Sequence, residues 1–186
     1  MAVSAENKPH WLRGIDSVEF NDPDFVRIVI FFVFHSPCKG LSSMGKTLTE
    51  YGWSDPWKKP YYLNKQLKKI SSNPCLLYSS SSYDKMEEAL RKSNLLDDFP
   101  YDCYSERVCI YNCQSNQFLS LFYHIRNAIA HGRFDIINID DECVYIFEDA
   151  AGKDEKRKVS ARMILKKGTL IKWIETIEHG EIKYVE

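Results

Sequence analysis

Arg126 and His131 stand five positions apart in the stretch RNAIAHG (126–132), with Asn127 directly after the arginine. The stretch closes a long apolar run, QFLSLFYHIRNAIAHGRF. A guanidinium is a permanent cation whose planar fork of donors matches phosphate oxygens. An imidazole exchanges protons near neutral pH. An asparagine side chain both donates and accepts hydrogen bonds, so it can hold either a neighbour or a substrate oxygen. Together these types suit proton transfer beside a negatively charged phosphate. The same residues also have a plain structural reading, in which Asn127 and His131 finish a helix and Arg126 anchors a dimer by a salt bridge. Spacing alone leaves both readings open.

The element that carries these residues is expected to be a helix over 116–130, capped by Ser115. At about 100° per residue, Phe118, Leu121, Phe122, Ile125, Ala128 and Ile129 form a broad apolar face. Ser120, His124 and Asn127 line the opposite side, with His131 in register. Arg126 falls on the flank of the apolar face, where a charge needs a partner, an interface or a pocket. An unbroken helix separates Arg126 from His131 by about 140°. Gly132 can end the helix and leave His131 on a turn. Alternatively, a second copy of the helix supplies the missing partner across a two-fold axis. His124 is a secondary candidate for a supporting role, with a satisfied structural histidine as the stronger expectation.

Around this helix the sequence predicts mostly further helices. Asp22-Pro23-Asp24 is a start signal, and it tips the all-round apolar run FVRIVIFFVFHS toward helix. Residues 37–60 are dense in glycine and proline, with room for a short helix at 46–51. YYLNKQLKKI (61–70) is expected to be helical. Ser81 and Asp84 suggest a capping box before a helix over 83–96. ERVCIYN (106–112) suits a short strand. FDIINI and CVYIFED flank the Asp140-Asp141 turn and, with the turn AAGKDEKRK, predict a two- or three-stranded β meander over 133–158. Ser160 is then expected to cap one long helix, ARMILKKGTLIKWIETIEHG, kinked at Gly168 and stopped by Gly180. Residues 1–20 read as a loose lead-in to a single domain spanning 1–186.

Composition narrows the function classes. The 186 residues are 44% hydrophobic with a net charge of −1, enough for a core and without the global positive field of an autonomous nucleic-acid binder. Two lysine-rich clusters, around Lys58–Lys69 and Lys153–Lys158, read as solvated faces. The most apolar run, 25–34, contains Arg27 and is too short for a membrane span. The N-terminus lacks the apolar segment of an export signal, so a cytoplasmic location is expected. The six cysteines contain no C-x-x-C pair and read as reduced thiols rather than metal ligands. GLSSMGKT (40–47) fits the phosphate-loop pattern G-x-x-x-x-G-K-[ST]. Its context argues against a nucleotide hydrolase: HSPCK separates it from any preceding strand, and Gly52 and Pro56 leave little room for the helix that Lys46 should open.

The Arg126, Asn127, His131 constellation within LFYHIRNAIAHGRF resembles the signature of the HEPN domains, in which an arginine is followed after four to six residues by a histidine. The small residue before the histidine and the glycine after it look like a bacterial branch associated with mobile elements and defence. The later meander and final helix also resemble that branch, whereas residues 1–100 match less well. The resemblance implies a mainly α fold: a helical bundle that dimerises, with a small β meander before the last long helix. It implies a metal-independent endoribonuclease needing no cofactor, in which the RNA 2′-OH attacks the adjacent phosphate. Arg126 would clamp the phosphate, His131 would act as general acid or base, and Asn127 would position. The role implied is a toxin or antiviral effector, with RNA as substrate and an antitoxin or defence complex as partner. A non-catalytic dimerising module that binds nucleotides or RNA is the alternative. In a related toxin branch a tyrosine stands two places after the histidine as a target of nucleotidylation; Arg133 holds that place here.

Overall fold

The computed structural model describes residues 4, 12, 21–38, 44–53, 60–70, 76–96, 105–114, 116–139, 141–153 and 156–180. Helix α1 (Pro23–Ile30) starts as the sequence indicates, with the Asp22 carboxylate accepting from the Asp24 amide at 2.9 Å and proline in the first turn. It runs on into a π-helical turn, Phe31–His35. The Tyr51 hydroxyl donates to the His35 carbonyl at the end of that turn, at 2.8 Å. Helix α2 (Pro60–Ile70) buries Leu63 and Leu67, one turn apart. Strand β1 (Leu76–Ser80), a 3₁₀ turn (Tyr83–Lys85) and α3 (Met86–Lys92) precede β2 (Arg107–Tyr111). Helix α4 (Gln117–Ala130), strands β3 (Phe134–Ile139), β4 (Glu142–Ala151) and β5 (Lys158–Lys166), and α5 (Lys167–His179) complete the described chain.

The strands form one mixed sheet in the order β1-β2-β5-β4-β3. β1 and β2 are parallel and joined through α3, and the remaining pairs are antiparallel. Alternation along the strands sorts the core into two layers. Val108, Ile110, Tyr145, Phe147, Ala161, Met163 and Leu165 pack with the residues of α1, α2, α4 and α5. Cys109, Val144, Ile146 and Ile164 face the other way, toward Met86 and Leu90 of α3. Signature helix α4 thus lies on one face of the sheet, held in an aromatic lattice. The Phe122 ring centroid is 5.7 Å from Phe32, 6.5 Å from Phe31 and 6.3 Å from Trp173. The Trp173 indole in turn donates to the Leu67 carbonyl at 2.8 Å, tying α5 to α2.

The expectation of a mainly α helical bundle is overturned by this five-stranded sheet. The physical cause is concentrated at β5. The run KVSARMILK is central in the sheet and buried on both faces, so it shows no polar side to betray its period of two. Ser160 is therefore not a helix cap but a buried strand residue, and the final helix starts at Lys167. Gly168 sits in its first turn and kinks nothing. The β meander is not a separate appendage, because its strands continue into β5 and through it to β2 and β1. Strand β1 went unread in a serine-rich segment. The helix expected over 83–96 is a 3₁₀ turn followed by α3, and Ser82 rather than Ser81 caps it, accepting from the Asp84 amide at 3.3 Å.

Within the phosphate-loop pattern, residues 40–43 lie outside the described residues. Its remainder does not open a helix of the required length. Thr47 and Glu50 close a reciprocal capping box around a single turn: Glu50 accepts from the Thr47 amide at 2.6 Å, and the Thr47 hydroxyl accepts from the Glu50 amide at 3.2 Å. The hydroxyl expected to hold magnesium in such a loop instead donates to Glu50 at 2.9 Å. Among the described residues no helix is long and apolar enough to cross a membrane.

Candidate active site

Helix α4 is fixed at both ends by its own sequence. Ser115 lies outside the described residues; the cap is Asn116, whose side chain accepts from the Leu119 amide at 2.9 Å. At the other end His131 is the last residue before the chain turns, with φ −101° and ψ 5°. Gly132 follows at φ +63°. Its amide donates to Ile129 O, and the Arg133 amide reaches back to Ala128 O at 2.8 Å. This pair of bonds is a Schellman ending, which needs the left-handed conformation that glycine supplies.

The two predicted principals are therefore presented differently. Arg126 is half-buried on α4, and its Nη1 donates to Asn127 Oδ1 at 3.0 Å. His131 is exposed, and its ring makes no hydrogen bond to any described residue. Asn127 thus holds the arginine rather than the histidine. Tyr123, Arg126, Asn127 and His131 lie at positions i, i+3, i+4 and i+8, one side of the helix, and all four are at least partly open to solvent. Asn127 stands between the arginine and the histidine on that side.

His124 belongs to a different environment. The stripe Ser120, His124, Asn127 expected on the open side is split, because Ser120 and His124 are buried at 0% and 1% exposure. Asp149 Oδ2, from β4, lies 2.6 Å from His124 Nδ1, and the Tyr111 carbonyl, at the end of β2, lies 2.7 Å from Nε2. Cys113 Sγ sits 3.6 Å from the same Nε2. Ser160 donates to Asp149 Oδ2 at 3.0 Å. Burial alone would lower the ring's pKa, but the hydrogen bonds and charge of Asp149 and Cys113 outweigh it and raise it to about 9. His124 is a charged structural ligand of the sheet, two residues before Arg126.

A second buried charge cluster lies just past the site. Arg133 Nη2 donates to Glu148 Oε1, and Arg162 Nε donates to Glu148 Oε2 at 2.9 Å. Arg162 also donates to the carbonyls of Leu95 and Leu96 at 3.0 and 2.6 Å. Glu148 is 1% exposed and each arginine 6%. Sequence reasoning did not find this cluster. Its visible signal was charge inside two strands rich in apolar residues, Glu148 and Asp149 in one and Arg162 in the other. Glu148 and Asp149 are consecutive in β4 and point to opposite faces. One holds Arg133, two residues after His131; the other holds His124, two residues before Arg126.

A recess of about 450 Å³ lies among Asn138, Glu142, Lys166, Lys167, Thr169 and Lys172, with no residue of α4 in its lining. It sits at the far end of β3 from His131. Among the described residues no group of three or more His, Cys, Asp or Glu side chains is arranged to hold a metal ion.

Helix α4 thus carries Arg126 and His131 in an Arg-x4-His spacing, with the histidine closing the helix and β4 gripping it on both sides of the pair. The family model described as HEPN pEK499 p136 matches residues 55–178, from the segment before α2 to the last turn of α5. The chain belongs to this HEPN family, which generally contains ribonucleases and so places it among nuclease-like or RNA-binding modules. No curated protein and no solved structure matches it.

Proposed function

We propose that this HEPN domain is a metal-independent endoribonuclease whose active centre is built from Arg126, Asn127 and His131. The observation that carries the reading is the joint exposure of one helix side, with a half-buried guanidinium steadied by Asn127 and an open imidazole at the helix end. Arg126 takes the non-bridging oxygens of the scissile phosphate and stabilises the charge that builds up as the 2′-OH attacks. His131 exchanges the proton, taking it from the 2′-OH or giving it to the departing 5′-oxygen. The products are a 2′,3′-cyclic phosphate and a 5′-hydroxyl. DNA, which lacks the 2′-OH, resists.

The spacing also calls for a second copy. On one helix Arg126 and His131 are about 140° apart, so a cleft that converges on one phosphate is best made by two α4 helices meeting across a two-fold axis. The protein then works as a homodimer. A toxin or antiviral effector that cuts cellular or phage RNA fits this chemistry. The net charge of −1 favours delivery of the RNA by a partner over tight autonomous binding.

The test is cleavage of labelled single-stranded and transfer RNA in EDTA by the wild type and by folded Arg126→Ala and His131→Ala variants. Wild-type cleavage leaving cyclic-phosphate ends, reduced by about 10² or more in each variant, is the expected result. Intact RNA with all three proteins overturns autonomous catalysis. It would favour a non-catalytic RNA-binding scaffold, in which the Arg126–Asn127 contact is an end in itself.

A further inference from the structure

We propose that Cys113 is a modification site, a thiol made reactive toward peroxides and small electrophiles by its pairing with the buried His124–Asp149 couple at the root of α4. The proposal is independent of the nuclease reading.

Both ring nitrogens of His124 face oxygens that can only accept. Nδ1 meets the Asp149 carboxylate at 2.6 Å and Nε2 meets the Tyr111 carbonyl at 2.7 Å. Two acceptors require two N–H groups, so the ring is an imidazolium. The same Nε2–H is shared with Cys113 Sγ at 3.6 Å. The Cys113 sulfur therefore rests against a fixed cation, which is itself held by Asp149 and, behind it, by the Ser160 hydroxyl at 3.0 Å. Thiol, imidazole and carboxylate thus touch in succession, and a cation beside the sulfur is what activates cysteine in unrelated proteins. The raised pKa of His124, to about 9, agrees with the proton count drawn from the geometry.

Access separates Cys113 from the other described thiols. Cys38 and Cys109 are buried at 3% and 0% exposure, and burial pushes each thiol up to about 11. Cys143 is partly open, but its thiol is also pushed up by burial and no histidine contacts it. Cys113 is both partly open and paired with a cation. It lies in the short link between β2 and Asn116, so an adduct there would bear on the segment that starts α4.

The step balances with hydrogen peroxide as the oxidant. The Cys113 thiolate attacks one peroxide oxygen, an S–O bond forms and the O–O bond breaks. The departing hydroxide takes a proton from solvent and leaves as water. Sulfur is oxidised to a sulfenic acid, peroxide is reduced, and the imidazolium keeps both of its N–H groups on Asp149 and the Tyr111 carbonyl. With iodoacetamide the same sulfur displaces iodide.

The experiment is pulsed alkylation of the full chain at pH 7 with iodoacetamide, followed by peptide mass spectrometry that reads each cysteine separately. An ordinary thiol is only a few per cent thiolate at this pH. Cys113 in the folded protein is expected to react about tenfold faster than in the urea-unfolded chain, with Cys38 and Cys109 slower than unfolded. Peroxide followed by a cyclic 1,3-diketone trap is expected to mark Cys113 first. His124→Asn is expected to bring the Cys113 rate down to the unfolded value. Labelling of folded wild-type Cys113 no faster than in the unfolded chain overturns the proposal. If His124→Asn fails to fold, the wild-type folded-to-unfolded ratio decides alone.

Discussion

At the scale of single residues, what separates His131 from His124 is what each ring can do. His131 is exposed and unclaimed by any described neighbour, which suits proton exchange with a substrate. His124, seven residues earlier, is claimed on both nitrogens and carries charge that the fold uses. Its pKa is raised from the ordinary 6.5 to about 9. A raised pKa means that the folded state binds a proton more tightly than the unfolded chain. The stability contributed is fully present below pH 6.5 and is lost as pH climbs through about 9. The groups facing the ring are Asp149 of β4, the Tyr111 carbonyl of β2 and Cys113. The urea midpoint of the wild type is therefore expected to fall between pH 6.5 and 9.5, by the equivalent of up to ~3 kcal/mol. A His124→Gln variant should be less stable at pH 6.5 and show a much flatter profile over that range. A profile equally steep in the variant would assign the pH dependence to other groups.

At the scale of elements, the end of α4 decides how His131 is shown. The Schellman turn depends on Gly132 at φ +63°, yet a Cβ built there meets nothing within 4 Å. A substitution costs only the left-handed backbone, roughly 1–2 kcal/mol for alanine, less for asparagine and more for a β-branched residue. Thermal unfolding of Gly132→Asn, Gly132→Ala and Gly132→Val should rank in that order. If valine were tolerated as well as asparagine, the turn would have another basis. This element was legible in the sequence because its signals are local, an apolar period and a glycine after the last turn, though its cap is Asn116 and not the expected Ser115. α1 and α2 were legible for the same reason. β5 was not, since burial on both faces erases the alternation that distinguishes a strand from a helix. The boundary between β5 and α5 falls inside a lysine pair, Lys166-Lys167, with no side-chain cap to mark it. β1 hid in a serine-rich segment that reads as loop.

At the scale of the whole molecule, the pair Arg126 and His131 was legible from spacing and family resemblance, while its supports were not. Asp149 is 25 residues from His124, Glu148 is 15 from Arg133 and 14 from Arg162. Such pairings arise only when the sheet closes, and no local pattern encodes them. The proposed composite cleft has its own test at this scale. Unfolding Arg126→Ala and His131→Ala chains together and refolding them produces mixed dimers. If each cleft takes its arginine from one copy and its histidine from the other, a mixed dimer regains one intact cleft. RNA cleavage should then return to about a quarter of the wild-type rate, because about half the dimers are mixed and each has one of two clefts. No recovery on mixing would place both groups of a working site on one chain.

Helix termini ordinarily fray, since their last turn has few partners. The last turn of α4 has a different mechanical status. It is stapled ahead of Arg126 by His124 to Asp149 and behind His131 by Arg133 to Glu148, and the two acids are neighbours in one strand. Because successive strand residues face opposite ways, a one-residue slip of β4 would turn each acid away from its cation and release both staples together. Loosening the segment that bears the arginine and the histidine, from either end, therefore means breaking a buried ion pair to β4.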